Sequence, residues 1–187
     1  YTGDLYPYYT PIGEEVILNN NWTISFVKGG PVLPEARNVT ELESWTEYGE
    51  DYAAFSGTAE YTTRIPALPG KADAWLLHIE HLYESAAIYV NNKYLGTLFN
   101  APYTIEIPAS VLKGNDELKI KVSNLMANRI SYMDKRGLEW KIFYNANIDS
   151  KGRMNVGKDG KFDAGNWSPR PSGISGKVIL RPLSCIK

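Results

Sequence analysis

Alternation of apolar and polar residues with a period of two dominates the chain. The clearest run is 117–122, where Leu118, Ile120 and Val122 are separated by charged residues. Successive side chains of a β-strand point to opposite faces, so this run predicts a strand with one buried face. The same alternation, or a nearly continuous apolar run suited to the middle of a sheet, predicts further strands at 22–27, 55–65, 74–80, 104–108, 138–144 and 177–183.

A β-hairpin is predicted at the centre of the chain. Residues 87–90 and 93–98 are strand-like, and Asn91 and Asn92 between them tolerate the positive φ of a tight turn. The hairpin and the strands that follow it are joined by short turns. Such a series of antiparallel strands is typical of a β-sandwich.

Irregular segments separate the strands. Residues 1–14 are rich in Tyr, Pro and Gly and are predicted as an extended lead-in, because prolines cannot donate to a regular ladder. Residues 34–52 are predicted as an acidic loop with one helical turn, and 125–137 as a polar segment too long for a turn. Residues 145–166 form a long excursion with few apolar residues. No helix of ordinary length is predicted, and we expect one domain over 1–187.

Composition narrows the range of functions. The length of 187 residues suits one large all-β domain, and a net charge of -1 lacks the basic excess of nucleic-acid-binding proteins. The single cysteine, Cys185, excludes an internal disulfide and a cysteine-based metal cluster, and no apolar run is long enough to span a membrane. Because the chain begins at Tyr1 rather than Met, we expect it to be processed or cut from a longer protein.

Four sequence blocks point to a known family. They are FSGTAEY at 55–61, AIYVNNKYLG at 87–96, KGNDEL at 113–118 with VSN at 122–124, and SGISGKVIL at 172–180. Together they resemble the sugar-binding, galactose-binding-like domain of family 2 glycoside hydrolases and of related rhamnosidase-type enzymes of gut bacteria. The resemblance covers roughly 19–183. Asn92 stands where the family usually has Gly, a mild departure because Asn also accepts the left-handed conformation.

The resemblance implies an all-β, antiparallel jelly-roll β-sandwich that is not itself the catalyst. It implies that the acid and nucleophile carboxylates lie on a separate catalytic domain of the same parent chain, in a periplasmic or extracellular bacterial glycoside hydrolase. The expected partners are therefore carbohydrate and that catalytic domain. No cofactor is expected; structural calcium is common in such domains, but no clear string of oxygen ligands occurs here. Two alternatives stay open: a structural or protein-interaction sandwich without sugar affinity, and a complete small hydrolase.

The first candidate sugar-binding group precedes the last strand. It consists of Asp163, Asn166, Trp167 and Arg170. The resemblance implies that this loop reaches towards the active site of the neighbouring domain. Carboxylate or amide groups beside an aromatic face also provide what recognition of sugar hydroxyls requires. The structural alternative is a Trp wedged under a Pro-rich corner.

A second candidate group lies at the end of the strand at 117–122. Its sugar-binding candidates are Asn128, Arg129, Tyr132 and Asp134, with Asn124 and Arg136 beside them. These residues could line the same end of the sandwich as the first group, although Arg and Asp side chains there could instead satisfy each other. A third group, Trp45, Tyr48 and Tyr52, could form a stacking platform or simply pack.

The sequence offers no convincing catalytic or metal centre. The acidic residues of one polar segment are predicted to be solvated because their charges repel each other: Glu41, Glu43, Glu47, Glu50 and Asp51. His78 and His81 are predicted to be structural, since no further ligands are spaced to complete a zinc site with them.

Overall fold

A computed structural model describes residues 8–18, 21–141, 155–158 and 160–186. Its strands form two antiparallel sheets that pack as a sandwich, which confirms the predicted jelly-roll fold class. In chain order the strands are β1 (Tyr8–Pro11), β2 (Val16–Ile17), β3 (Trp22–Gly30), β4 (Arg37–Val39), β5 (Ser56–Arg64), β6 (Ala74–Tyr83), β7 (Ser85–Val90), β8 (Lys93–Leu98), β9 (Thr104–Pro108), β10 (Glu117–Ser123) and β11 (Gly173–Ile186). The helices are α1 (Glu50–Ala54) and α2 (Ala127–Lys135), with short 3₁₀ turns at Trp45–Tyr48 and Ala109–Val111.

The two sheets differ in width. The smaller sheet has the order β1-β11-β6-β9, with β2 also paired to β11, and the larger has the order β4-β3-β5-β10-β7-β8. The apolar run predicted for the middle of a sheet is β6, which lies between β11 and β9.

The core lies between the inner faces of the sheets. Leu118, Ile120 and Val122 of β10 are fully buried, as the alternation predicts. Tyr61 of β5 is also fully buried, and its hydroxyl accepts a hydrogen bond from the Ile174 N–H of the other sheet at 3.3 Å. Burial raises the pKa of Tyr61, so the phenol stays protonated and acts as a polar tie inside the core.

The predicted hairpin is confirmed. β7 and β8 pair in antiparallel register, and Asn91 and Asn92 at the turn have φ angles of 50° and 63°. Both central residues of the turn therefore adopt the left-handed conformation that a two-residue hairpin loop requires. Asn92 takes this conformation without the Gly that the resembling family usually has.

Part of the predicted lead-in belongs to a sheet. Tyr8–Pro11 forms β1, an edge strand that pairs with the last strand, from Tyr8 opposite Ile186 to Pro11 opposite Leu183. Edge strands tolerate proline because one row of their N–H groups faces solvent. The expectation that the prolines would prevent regular pairing is wrong for this stretch, and residues 1–7 lie outside the described residues.

The prediction of no helix of ordinary length is also wrong. α2 spans nine residues within the polar segment 125–137. Its buried positions are Asn128 and Ser131, so it has no apolar stripe by which the sequence could reveal it. Among the described residues, neither helix is long and apolar enough to cross a membrane.

The predicted strand at 138–144 is not observed in its described part. Residues 138–141 adopt no regular secondary structure, and 142–144 lie outside the described residues. In the described part of the excursion at 145–166, Val156 and Phe162 form an isolated antiparallel bridge. Both stretches lie next to α2 and help to form the site described below.

Candidate functional site

Polar contacts hold α2 against residues 163–170. The Asn128 side chain donates to the Arg170 carbonyl oxygen at 2.9 Å and accepts from the Arg170 N–H at 2.8 Å. One turn later, the Ser131 hydroxyl donates to the Trp167 carbonyl oxygen at 3.3 Å. The two candidate groups that are separate in sequence therefore meet at one corner of the sandwich, where β10 ends and β11 begins.

Asn124 fixes the chain just before α2. Its side chain accepts from the Gly57 N–H at 2.8 Å and donates to the Phe55 carbonyl oxygen and the Ser172 hydroxyl. These bonds occupy the side-chain amide on both its oxygen and its nitrogen. Asn124 thus ties the end of β10 to the starts of β5 and β11 and is committed to the fold.

Asp134 links α2 to the loops beyond it. Its side chain is only 5% exposed, and its carboxylate accepts from Trp140 Nε1 at 2.6 Å, Lys141 Nζ at 3.0 Å and the Ala164 N–H at 2.7 Å. Burial alone would raise the pKa of Asp134, but these donors outweigh it and hold the pKa below its ordinary value. A charged carboxylate at the end of the helix therefore positions an indole ring, an ammonium group and a backbone turn.

A chain of edge-to-face aromatic contacts runs along the corner. The Phe162 ring lies 5.8 Å from the Trp167 ring and 6.3 Å from the Trp140 ring, both at close to right angles. The Trp167 indole N–H donates to Asn155 Oδ1 at 2.7 Å. Because protein acceptors bind both indole N–H groups, the orientations of the two tryptophans are fixed before any ligand arrives.

An open cleft of ≈ 540 Å³ is lined by the Trp140 and Phe162 rings. Its volume falls in the range of roughly 300–1,000 Å³ typical of small-molecule sites. Its lining mixes aromatic and charged side chains: Asp134, Gly137, Leu138, Glu139, Trp140, Lys141, Gly157, Lys158, Lys161, Phe162 and Asp163. Flat rings with hydrogen-bonding groups around them are suited to a polyhydroxylated ring.

The residues of the first candidate group all lie along this corner but differ in how far they are exposed to solvent. Asp163 lines the cleft and accepts from the Gly165 N–H at 2.7 Å, and Trp167 is half-buried against Phe162. Asn166 and Arg170 are exposed. The packing alternative for Trp167 is true in part, since the ring contacts Phe162 while remaining partly accessible.

The sugar-binding candidates of the second group all lie on α2, but they point to different surroundings. Asp134 faces the cleft, whereas Asn128 is 5% exposed and its amide is committed to Arg170. Tyr132 lines a smaller cavity between α1 and α2, and the Arg136 guanidinium lies 5.4 Å from the centre of its ring. The structure therefore gives Asn128 a positioning role and leaves Asp134 nearest to the cleft.

Arg129 points away from the cleft, towards the end of β3. A methyl group placed on Gly30 would lie 2.7 Å from Arg129 Nη1, so the guanidinium packs on the glycine backbone. Within the described part of the chain, its buried Nε has no hydrogen-bond partner. The pairing of Arg with Asp that the sequence suggested does not occur in this group, because Asp134 pairs with Lys141 and Arg136 with Glu50.

Most residues that line the cleft are absent from the sequence-based candidates, including Trp140, Lys141 and Phe162. Trp140 and Lys141 fall in the segment predicted as a strand, where an aromatic residue is most simply explained as packing. The Lys141 ammonium lies 5.6 Å from the Trp140 ring and 5.8 Å from the Phe162 ring. The sequence signal for these residues was only that Trp140 and Lys141 follow a polar segment. That signal does not show that the Trp140 ring would contact Phe162.

The third candidate group is a packing cluster rather than an exposed platform. Trp45 is completely buried and contacts Phe26 and Phe55 edge to face. Tyr48 and Tyr52 are half-buried beneath the Arg37 guanidinium, which lies 4.8 Å from the Tyr48 ring. Of the two alternatives for this group, packing therefore holds for Trp45, because its ring cannot be reached from solvent.

The predicted acidic segment is solvent-exposed, as expected. This holds for all five of its acidic residues: Glu41, Glu43, Glu47, Glu50 and Asp51. His78 is half-buried and His81 exposed on β6, and the described residues contain no group of three His, Cys, Asp or Glu side chains that could hold a metal ion.

Comparisons with known proteins place the fold among glycoside hydrolases. No family model matches the chain. Over 133 residues, covering 69% of this chain, it is 29% identical to a protein of Formosa agariphila named "Putative beta-glucuronidase", and it spans 11% of that protein.

Solved structures show the same sandwich. A rhamnosidase from a Novosphingobium species matches 96% of this chain with a TM-score of 0.70 at 22% identity. A β-glucuronidase from Ruminococcus gnavus matches 93% with a TM-score of 0.54 at 16% identity, and a family 2 β-galacturonidase from Eisenbergiella tayi matches 90% with a TM-score of 0.51 at 15% identity. The chain spans only 16%, 30% and 24% of these three proteins. It therefore resembles one β-sandwich portion of larger glycoside hydrolase chains.

Proposed function

We propose that this chain is the non-catalytic accessory β-sandwich of a bacterial glycoside hydrolase and that it contacts carbohydrate at the corner formed by α2 and 163–170. The observation that carries the proposal is that the Trp140 and Phe162 rings, which contact each other edge to face, line an open cleft, with Trp167 packed against Phe162. Pyranose rings bind proteins through their apolar C–H faces and their hydroxyl groups together. A cleft with rings and charged hydrogen-bonding groups provides both kinds of contact.

Preorganisation supports a binding role for these rings. Asp134 accepts from the Trp140 indole and Asn155 from the Trp167 indole, at 2.6 and 2.7 Å. An aromatic surface that is already held in place loses little conformational freedom when a sugar stacks on it. A ring that served only to fill the core would not need to border an open cleft.

The role in the parent protein would be positional. The similar proteins carry this sandwich as a minor part of much longer chains, and the names of those proteins describe glycosidases. The sandwich would hold a glycan near a catalytic domain and so lower the cost of orienting it there. The parent protein would act on extracellular or periplasmic glycans.

Titration calorimetry on the purified chain with a panel of plant and host oligosaccharides tests this proposal. Binding is expected to at least one of them, and Phe162→Ala and Trp140→Ala should each weaken it by about tenfold, or about 1.4 kcal/mol, because each removes an aromatic face that lines the cleft. Tyr94→Ala is the matched control, because Tyr94 is an aromatic residue 55% exposed on the edge strand β8. It should leave the affinity unchanged.

Two results would contradict the proposal. If no glycan binds, the sugar-binding role fails and a structural sandwich remains. If the purified chain turns over aryl glycosides, the non-catalytic assignment fails.

A protein-interaction role has one observation in its favour. Four apolar side chains about half exposed flank Arg129, two after β3 and two just before α2: Val32, Leu33, Leu125 and Met126. Together with the unpaired Arg129 Nε, they would suit an adjacent domain that presents a carboxylate within an apolar surface. This second role is compatible with the first, because Arg129 faces away from the cleft.

A further inference from the structure

We infer that the cleft lined by residues 137–141, 157–158 and 161–163 takes a neutral glycosyl unit and discriminates against a uronate. This inference rests on the proposed function and goes beyond it by naming the class of sugar. The class of sugar is inferred from the charged side chains that line the cleft and from the hydrogen bonds that these side chains already make within the protein.

The charged lining is balanced. It contains three acidic residues, Asp134, Glu139 and Asp163, and three lysines, Lys141, Lys158 and Lys161, so the formal charge of the described lining is 3 − 3 = 0. A cleft built to attract an anionic sugar should carry a clear excess of positive charge. The described lining has no such excess.

The innermost pair of charges is already committed. Lys141 Nζ lies 3.0 Å from Asp134 Oδ1 and also donates to the Phe162 carbonyl oxygen. The Asp134 side chain is 5% exposed and that of Lys141 is 23% exposed, so the pair is largely shielded from solvent. A ligand carboxylate could not use this ammonium without competing with a buried carboxylate that is held by two further donors, and that competition carries a desolvation cost.

The remaining acids face the space that a ligand would enter. Both Glu139, which is exposed, and Asp163, which is partly buried, line the cleft. A ligand carboxylate carries the same charge as Asp163 and Glu139, so these two side chains would repel it. It also has no proton to donate to them, so its only favourable charged contacts would be with lysines. A hydroxyl group donates to a carboxylate and accepts from an ammonium, so a neutral sugar can use both kinds of side chain at once.

Matched pairs of ligands test the inference. The pairs are methyl β-D-glucopyranoside with methyl β-D-glucopyranosiduronate, and methyl β-D-galactopyranoside with methyl β-D-galactopyranosiduronate, with methyl α-L-rhamnopyranoside as a further neutral ligand. Members of a pair differ only in bearing a hydroxymethyl or a carboxylate group. Calorimetry or NMR titration should show the neutral member binding roughly fivefold or more tightly, as expected for one like-charge contact at a partly solvated site. The affinity of the neutral member should change little with ionic strength.

Two charge-removing variants make the test specific to this cleft. Asp163→Asn keeps the oxygen that accepts from the Gly165 N–H but removes one negative charge, so the preference for the neutral member should shrink several-fold. Lys158→Gln removes a positive charge from the same lining and should enlarge the preference.

The outcomes separate the inference from the proposed function. Tighter binding of the uronate, weakened by salt, would overturn the inference alone. A preference that Asp163→Asn and Lys158→Gln leave unchanged would also overturn it, because the cleft charges would then not set the preference. Absence of binding by every ligand, or binding that Phe162→Ala does not affect, would overturn both.

Discussion

The side chain of Asn128 pairs with the backbone of Arg170 through two hydrogen bonds, at 2.8 and 2.9 Å, in the way that two strands pair. The first residue belongs to a helix and the second to the segment that leads into β11. The amide thereby joins two parts of the chain that are 42 residues apart. Because Asn128 is only 5% exposed, water has little access to replace these bonds.

We predict that Asn128→Ala lowers the free energy of unfolding by about 2 kcal/mol, because it removes both hydrogen bonds to the Arg170 backbone and each contributes about 1 kcal/mol. Urea denaturation followed by circular dichroism measures the change. Asn166→Ala is the control, since Asn166 is exposed at the same corner and should cost less than about 0.5 kcal/mol. Equal effects of the two substitutions would show that the Asn128–Arg170 hydrogen bonds make no particular contribution to the free energy of unfolding.

A close backbone contact between β3 and β5 explains why Gly57 belongs to the sequence block at 55–61. Gly57 is paired with Gly29, and a Cβ on Gly57 would lie 2.0 Å from the Lys28 carbonyl oxygen and 2.6 Å from Gly29 Cα. We predict that Gly57→Ala destabilises the protein by about 3 kcal/mol, because the strands must move apart. Gly70→Ala, where a Cβ would meet nothing within 4 Å, should cost only the left-handed backbone strain of about 1 kcal/mol. Thermal unfolding of both variants distinguishes crowding from backbone strain.

Asp116 should make stability depend on pH in the acid range. Burial alone raises the pKa of its carboxyl, but hydrogen bonds from Asn91 and from the N–H groups of Lys113 and Gly114 outweigh burial and lower the pKa. The folded-state pKa is thus below the value of about 3.9 for unfolded Asp. The carboxylate therefore stabilises the fold fully above that value and progressively less as the pH falls below it.

The measurement is the free energy of unfolding of the native protein and of Asp116→Asn at several pH values. At neutral pH the substitution should cost about 2 kcal/mol, the typical contribution of hydrogen bonds to a charged group. The difference should shrink as the pH falls from about 4 towards 2. A difference that grows on acidification would contradict this account.

Asp134 is predicted to affect sugar affinity without being a direct contact. Asp134→Asn removes the counter-ion of Lys141 and weakens the acceptor that holds Trp140, so the ring should become more mobile. We expect a glycan affinity several-fold lower and a broader indole N–H signal for Trp140 in NMR spectra. Asp116→Asn is the control, because Asp116 is another buried carboxylate but lies in the turn before β10, at the opposite end of that strand from α2. This substitution should leave the glycan affinity and the Trp140 indole signal unchanged. Equal loss in the two variants would mean that general stability, not ring position, governs binding.

The sequence predicts the sandwich well because the sandwich follows local rules. The alternation of Leu118, Ile120 and Val122 defines a buried face, and the consecutive Asn91 and Asn92 define a tight turn. These signals lie within a few residues of each other and need no knowledge of tertiary contacts. Most strands follow from such signals, although β1 is missed and β11 is longer than the predicted run at 177–183.

The candidate site is predicted only in part because its contacts are distant in sequence. α2 is stabilised by bonds from Asn128 and Ser131 to residues that come 36 to 42 positions later, so no apolar periodicity marks it. The contact between Trp140 and Phe162 likewise depends on how two irregular segments meet. The sequence indicates which residues could bind sugar, but not that Asp134 would pair with Lys141 or that Arg129 would face away.

The indole N–H signals of the five tryptophans provide the most direct test of the central claim. Trp22, Trp45 and Trp75 are at most 3% exposed in the core, whereas Trp140 lines the cleft and Trp167 packs against Phe162, which also lines it. In a titration of the ¹⁵N-labelled chain with a bound neutral glycan, the signals of Trp140 and Trp167 should shift in a saturable way while the other three stay in place. Shifts confined to the core tryptophans or to the β7–β8 hairpin, or no shifts at all, would contradict a sugar site at this corner.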